Sequence, residues 1–336
     1  MSRSLLFLPL LLTACPPAED KVGETDDAPD VCDIIIEESL PTVDQIDAYY
    51  RGNIEFRLSD PDPTATIVTN IPGSQLPSVD NETFIWEISA PLSPSTAYTA
   101  TLDYCRGSAV INFGTSALGT AVEDSTLLGR TYTLDLANAR IVEPAGIGSV
   151  LTSYLTQDIL VGVDSIADGE VQMIGAIGAE DAEPPRQDFC DPTIPFPAAD
   201  WSASPYFQIG PQTTTLSVAG YDIEIGDLEI TGTFASDGSY FGGGTLAGTI
   251  DTRPLAPLLD DSGDEGAICD LAINFGATCT ACSDDKPFCL TLVADQIIAL
   301  EVANTTLIEV GGNNCMGCES ATAETDLSAT CEVTPE

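Results

Sequence analysis

The chain has 336 residues, with 53 Asp and Glu against 10 Lys and Arg, no histidine and a formal net charge of −43. Such a charge repels phosphate backbones and anionic headgroups, which excludes nucleic-acid binding and basic docking on a membrane. The lack of histidine removes Ser-His-Asp and Cys-His catalysis, while 43% hydrophobic residues suffice for roughly two folded domains.

Arg3 precedes an apolar run from Leu5 to Leu12, which is followed by Thr13, Ala14 and Cys15. The run is far shorter than the ~20 residues that cross a bilayer, so it reads as a secretory signal. Leu12-Thr13-Ala14-Cys15 resembles the lipobox of bacterial lipoproteins. The resemblance implies removal of residues 1–14, a diacylglyceryl group on Cys15 and acylation of its new amino terminus. Pro16 and not Asp follows Cys15, which by the known sorting of such lipoproteins implies the outer membrane. The first expected partner is therefore the membrane, reached through the lipid. Residues 15–31 are rich in Pro, Gly and acid, with almost no large apolar side chains, and read as a disordered, self-repelling tether.

From Cys32 to Leu118 short alternating runs predict strands: Ile54 to Leu58, Ala65 to Thr69, Thr83 to Ile88, Ala97 to Tyr104 and Ala109 to Phe113. Ile71-Pro72-Gly73-Ser74 reads as turn. The stretch Pro91-Leu92-Ser93-Pro94-Ser95-Thr96-Ala97-Tyr98, with Phe113-Gly114-Thr115-Ser116 downstream, resembles the closing half of bacterial Ig-like domains, which are similar in fold to fibronectin type III modules. The resemblance implies a β-sandwich over 32–118 that acts as a spacer or adhesive unit, with no catalytic residue. It also implies a Tyr98 that packs inward while its hydroxyl bonds backbone at the preceding corner. Cys32 and Cys105 are the only cysteines flanking this segment and are expected to pair with each other.

Residues 119–318 are β-rich in a different way. Arg130 to Leu136, Asp158 to Val163, Glu170 to Ile177, Thr213 to Val218, Tyr221 to Ile225, Leu228 to Phe234, Leu290 to Val293 and Ile297 to Val302 all read as strand. About eight strands in series suit a disulfide-rich antiparallel barrel or curled sandwich, making the whole chain all-β with a few short helices. Ile147, Val150, Leu151, Tyr154 and Leu155 recur at helical spacing. Asp237-Gly238 fits the paired positive φ of a type I′ hairpin turn. Gly242, Gly243 and Gly244 within a strand predict a bulge or a close backbone approach, and Asp251-Thr252-Arg253-Pro254 a short helix start. The tail 319–336 is small and polar.

Ten cysteines remain beside Cys15, an even number that in an exported chain points to disulfides, with Cys282 and Cys289 the one further pair singled out. Cys279-x-x-Cys282 and Cys315-x-x-Cys318 together also match a four-thiolate zinc site, but their separation is long and the compartment oxidising, so no metal is expected there. Calcium remains possible but unassigned. The best acidic loop, Asp260 to Gly266, carries Glu265 where an EF-hand needs glycine. No cofactor is expected.

Three functions stay open. One is a non-catalytic envelope or surface lipoprotein whose Ig-like spacer presents the β-domain to a protein or surface-glycan partner. A second is a carrier holding an apolar ligand inside the barrel, and a third a hydrolase using two carboxylates. A filled interior separates the first from the second; two acids facing a cleft separate it from the third.

Overall fold

The structure, a computed structural model, describes residues 32–136, 138–144, 158–179, 182–218, 221–258 and 264–310. The lipobox, the tether, the helix expected over 147–155, most of the acidic loop, Cys315, Cys318, Cys331 and the tail lie outside the described residues.

The first domain is a sandwich of two antiparallel sheets. One holds β1 (Ile36–Leu40), β2 (Ile54–Leu58), β4 (Gly73–Gln75) and β5 (Thr83–Ile88) in the order β1-β2-β5-β4. The other holds β3 (Thr66–Thr69), β6 (Ala97–Tyr104) and β7 (Gly107–Gly114) in the order β3-β6-β7. This is the seven-strand order of constant-type immunoglobulin sandwiches. Alternation builds it: Ile54, Phe56 and Leu58 face inward from β2, Ala100 and Leu102 from β6, and Ile111 and Phe113 from β7, all buried. Tyr98 stacks on Phe113, and its phenol oxygen accepts a hydrogen bond from the Ser93 amide at 2.9 Å. The expected corner is therefore present. The turn expected at Pro72-Gly73-Ser74 is instead the start of an edge strand. Gly73 lies so close to β5 that a side chain there would collide with the Glu87 carbonyl, and only glycine can pair at that distance.

The second domain is a closed antiparallel barrel of eight strands. Its strands are β8 (Thr131–Asp135), β10 (Ile159–Ala167), β11 (Glu170–Ile177), β13 (Ala199–Asp200), β14 (Tyr206–Val218), β15 (Tyr221–Phe234), β16 (Tyr240–Asp251) and β17 (Cys289–Glu301). Each pairs with its neighbour in sequence, and β17 returns to β8 to close the ring. β9 (Arg140–Glu143) extends β8 along β17, and β12 (Ile194–Pro195) pairs with β11. The strands expected at Tyr221 to Ile225 and Leu228 to Phe234 form one continuous β15 with a register shift between them.

Asp237-Gly238 joins β15 to β16, but only Gly238 takes a positive φ, 71°, so the turn is not type I′. Asp237 instead accepts the Ser239 amide at 3.0 Å and its hydroxyl at 2.7 Å, which holds the aspartate at negative φ. The two-residue turn with paired positive φ is Asp168-Gly169, at 55° and 81°, between β10 and β11.

Short helices close the barrel. α1 (Asp124–Leu127) lies between the domains and sends Leu127 into the core. A 3-10 turn, Arg253–Leu258, follows the expected start, and α2 (Ala267–Ile273) lies in the cysteine-dense stretch where no helix was expected. Residues 302–310 strap the outer wall. Leu307 packs over Gly162, while Ile308 and Gln187 exchange two hydrogen bonds, at 2.8 and 3.0 Å.

Candidate functional site

The barrel interior was the first place to expect a ligand, and its lower half, the one beside the sandwich, is filled with rings. Phe234 packs on Tyr132, Trp201, Phe207 and Phe241, with centroid separations of 5.1 to 5.8 Å. Val163, Val171, Met173 and Ile209 complete the cluster. Such contacts add about 0.5–1.5 kcal/mol per pair to the burial itself. Polar tips are matched: Tyr132 Oη donates to the Gly238 carbonyl at 2.9 Å, and Trp201 Nε1 donates to Asp124 at 3.0 Å. The wall under the strap has a crevice of about 110 Å³ lined by Gly129, Arg130, Gly162, Asp164, Thr306 and Leu307. It is below the ~300–1,000 Å³ of small-molecule sites.

The joint between the domains is the second construction. Tyr49, in the loop after β1, reaches the barrel wall, and its hydroxyl shares a hydrogen bond of 2.8 Å with Thr233. Burial pushes the Tyr49 phenol well above its ordinary pKa, so it stays neutral. Room for its ring comes from Gly243, at φ 60°, where any Cβ would collide with the tyrosine. Gly242 receives Leu118 in the same way, at 3.1 Å from an added Cβ. The triglycine is thus both a register break in β16 and a seat for the sandwich. Arg51 lies 3.9 Å above the Tyr206 ring, and Arg140 from β9 bridges Asp295 at 2.7 Å and Glu55 of β2 at 3.5 Å. Leu118 and Ala235, one from each side, belong to one buried cluster.

The third construction is the disulfide cap on the far half of the barrel. Cys282 bonds Cys289, and Cys269 bonds Cys279. Two of the four sulfurs of the zinc-like pattern are therefore in separate disulfides and offer no thiolate. Asp251 lies within 4.8 Å of the Cys282 and Cys289 sulfurs, but they are bonded to each other and Asp251 is held by Arg253 at 2.6 Å. Arg253 also grips Asp284 at 2.6 Å, and its guanidinium holds both carboxyls below their usual range.

Cys32 and Cys105 are bonded, with Cα atoms 5.8 Å apart, at the pole of the sandwich away from the barrel. Tyr49, Leu92, Ser116 and Leu118 gather at the near pole; β6 and β7 run the length between. Cys15 lies outside the described residues. Burial, and then the charge of Asp188, push the Asp191 carboxyl above its ordinary pKa, and it sits in the loop beside the disulfide-bonded Cys190. The missed features are the joint residues Tyr49 and Arg51, which sit in a loop without periodicity; the one signal was the triglycine that receives Tyr49. Comparison with protein-family models, with curated proteins and with solved structures finds no match to this chain.

Proposed function

We propose that this chain is a non-catalytic, lipid-anchored envelope protein, held in the outer membrane through Cys15, in which an Ig-like spacer presents the barrel to a macromolecular partner. One observation carries the reading. The chain enters the sandwich at Cys32, at one pole, and the barrel is seated on the other. With eight residues in β6 at about 3.4 Å each, the two poles are about 27 Å apart. A short acidic tether before Cys32 then lifts the barrel away from the bilayer, and like charge keeps the assembly off an anionic surface. The ring-filled lower barrel supports presentation of an outer surface over carriage of a ligand. The absence of histidine and the place of Asp191 in a loop beside the disulfide-bonded Cys190 give no reason to assign catalysis.

The test is metabolic labelling with an alkyne fatty acid, followed by membrane fractionation and crosslinking in the native host. Wild type should carry label and pellet with the outer membrane, and Cys15→Ser should lose both label and pelleting. A Cys15→Ser protein that still pellets, or an intact mass retaining residues 1–14, would overturn the anchor. Crosslinking that captures no protein or surface glycan would overturn the presenting role.

A further inference from the structure

We propose that the Cys32–Cys105 disulfide makes the sandwich an inextensible strut: a pull on the N-terminal end passes through the bond into β7 and on to the barrel, bypassing the rest of the domain. This deepens the spacer reading and rests on it for the direction of the pull.

The connectivity carries the inference. The bond joins the first described residue to the first residue of the β6–β7 turn, across a sequence separation of 73. After Cys105 the chain runs up β7, Gly107–Gly114, and reaches the joint at Leu118 and Gly119. With the bond in place, the covalent path from Cys32 to the joint is about 15 residues; without it, close to 90. About half of the short path is β7, with eight residues, and a strand at about 3.4 Å per residue is already close to the ~3.6 Å ceiling of a stretched chain. A pull on the two ends of β7 therefore has little to lengthen. It need not break the ladder to β6, which pairs every residue from Ala97↔Gly114 to Tyr104↔Gly107. β1 to β5 hang beside the line of force.

Both ends of the path are fixed. At the distal pole the Cys105 amide donates to the buried Asp62 at 2.7 Å. At the joint, residues 44–48 run along the end of β7: the Asp44 amide donates to Asn112 at 2.7 Å and the Ala48 amide to Gly114 at 3.0 Å. The same segment carries Tyr49, whose ring fills the place that Gly243 leaves in the barrel wall. The end of the strut is thus tied to the barrel by hydrogen bonds as well as by the chain.

The measurement is single-molecule stretching of the full chain, held at its N-terminus and through a C-terminal tag, under oxidising conditions. The sandwich should yield no unfolding step longer than about 30 Å. The double variant Cys32→Ser/Cys105→Ser should give a new step of about 250 Å or more, the length of the 73 released residues. Should that variant not fold, the wild type can be pulled from a handle inserted at Val79, a fully exposed residue of the distal pole outside the bypass. That geometry should release a step of about 100 Å while the N-terminal pull does not. A long sandwich step on N-terminal pulling of oxidised wild type would overturn the proposal. So would equal step lengths from the two handles. Neither result bears on whether Cys15 is acylated, so the anchor stands or falls separately.

Discussion

Asp62 accepts the amide of Cys105 through one carboxylate oxygen at 2.7 Å and takes the hydroxyl and amide of Thr64 on the other, at 2.6 and 2.8 Å. Only 3% exposed, it holds the disulfide end of β6 to the loop before β3. The hydrogen bond from Thr64 lowers its pKa most, with the amides of Cys105 and Thr64 adding to it. A carboxylate depressed in the folded state stabilises fully above its unfolded pKa, near 4, and that contribution is lost as pH falls through the lower folded value. Denaturant titrations of wild type and Asp62→Asn should differ by about 1–3 kcal/mol at pH 7, and the gap should narrow below about pH 4. A gap that is constant with pH would show that the charge is not what matters.

Gly243→Ala should uncouple the two domains. Alanine at φ 60° costs about 1–2 kcal/mol by itself, and its methyl collides with the Tyr49 ring, so the seat must open. Gly107→Ala is the matched control, with positive φ and nothing within 4 Å of an added Cβ. Calorimetry should show a shift of a few degrees for Gly107→Ala. For Gly243→Ala it should show separate domain transitions, with faster protease cleavage between residues 115 and 123. Equal effects of the two would remove the seat.

Phe234 touches four other rings and is fully buried, so Phe234→Ala should lose about 3–5 kcal/mol through transfer and cavity terms. Phe275, 38% exposed beside α2, should cost under about 1 kcal/mol when truncated. Near-equal losses would mean that the ring cluster is not the core of the barrel.

Much of this architecture was legible because strands with one wet face write their period directly into the sequence. Ile54 to Leu58 and Ala97 to Tyr104 are cases, and β6 has the expected bounds. Tyr98 and its corner were legible for the same reason, in company with the prolines that precede it. The turn types were not. Asp168-Gly169 and Asp237-Gly238 are the same dipeptide, and what separates them is whether a serine two residues on captures the aspartate side chain. α2 spans seven residues, too few to show a period among cysteines. The partner of Cys279 could not be chosen from spacing, since eight cysteines allow 105 pairings.

Cap disulfides make a compositional prediction. With Cys279 and Cys282 bonded to Cys269 and Cys289, protein exported in its own host should hold no zinc, and chelator should leave its melting temperature unchanged. Reductant should lower that temperature, since closing even short loops contributes about 2–3 kcal/mol each in the chain-entropy account. One zinc per chain by elemental analysis, with free thiols after its removal, would reopen the segment as a metal centre.

The meander order of the barrel also has a consequence for biogenesis. Seven of its strands can pair with the one just synthesised, but the ring is sealed only when β17 meets β8, where Arg130 and Glu301 join at 2.8 Å across the seam. Synthesis from the N-terminus delivers that last strand after all the others. Until it arrives, β8 and β16 each keep a raw flank of unpaired amides and carbonyls, the kind of surface on which chains cross-pair. The interval between the appearance of β16 and that of β17 is therefore the vulnerable moment in the life of this protein, and it includes the time needed to bring Cys269 to Cys279 and Cys282 to Cys289.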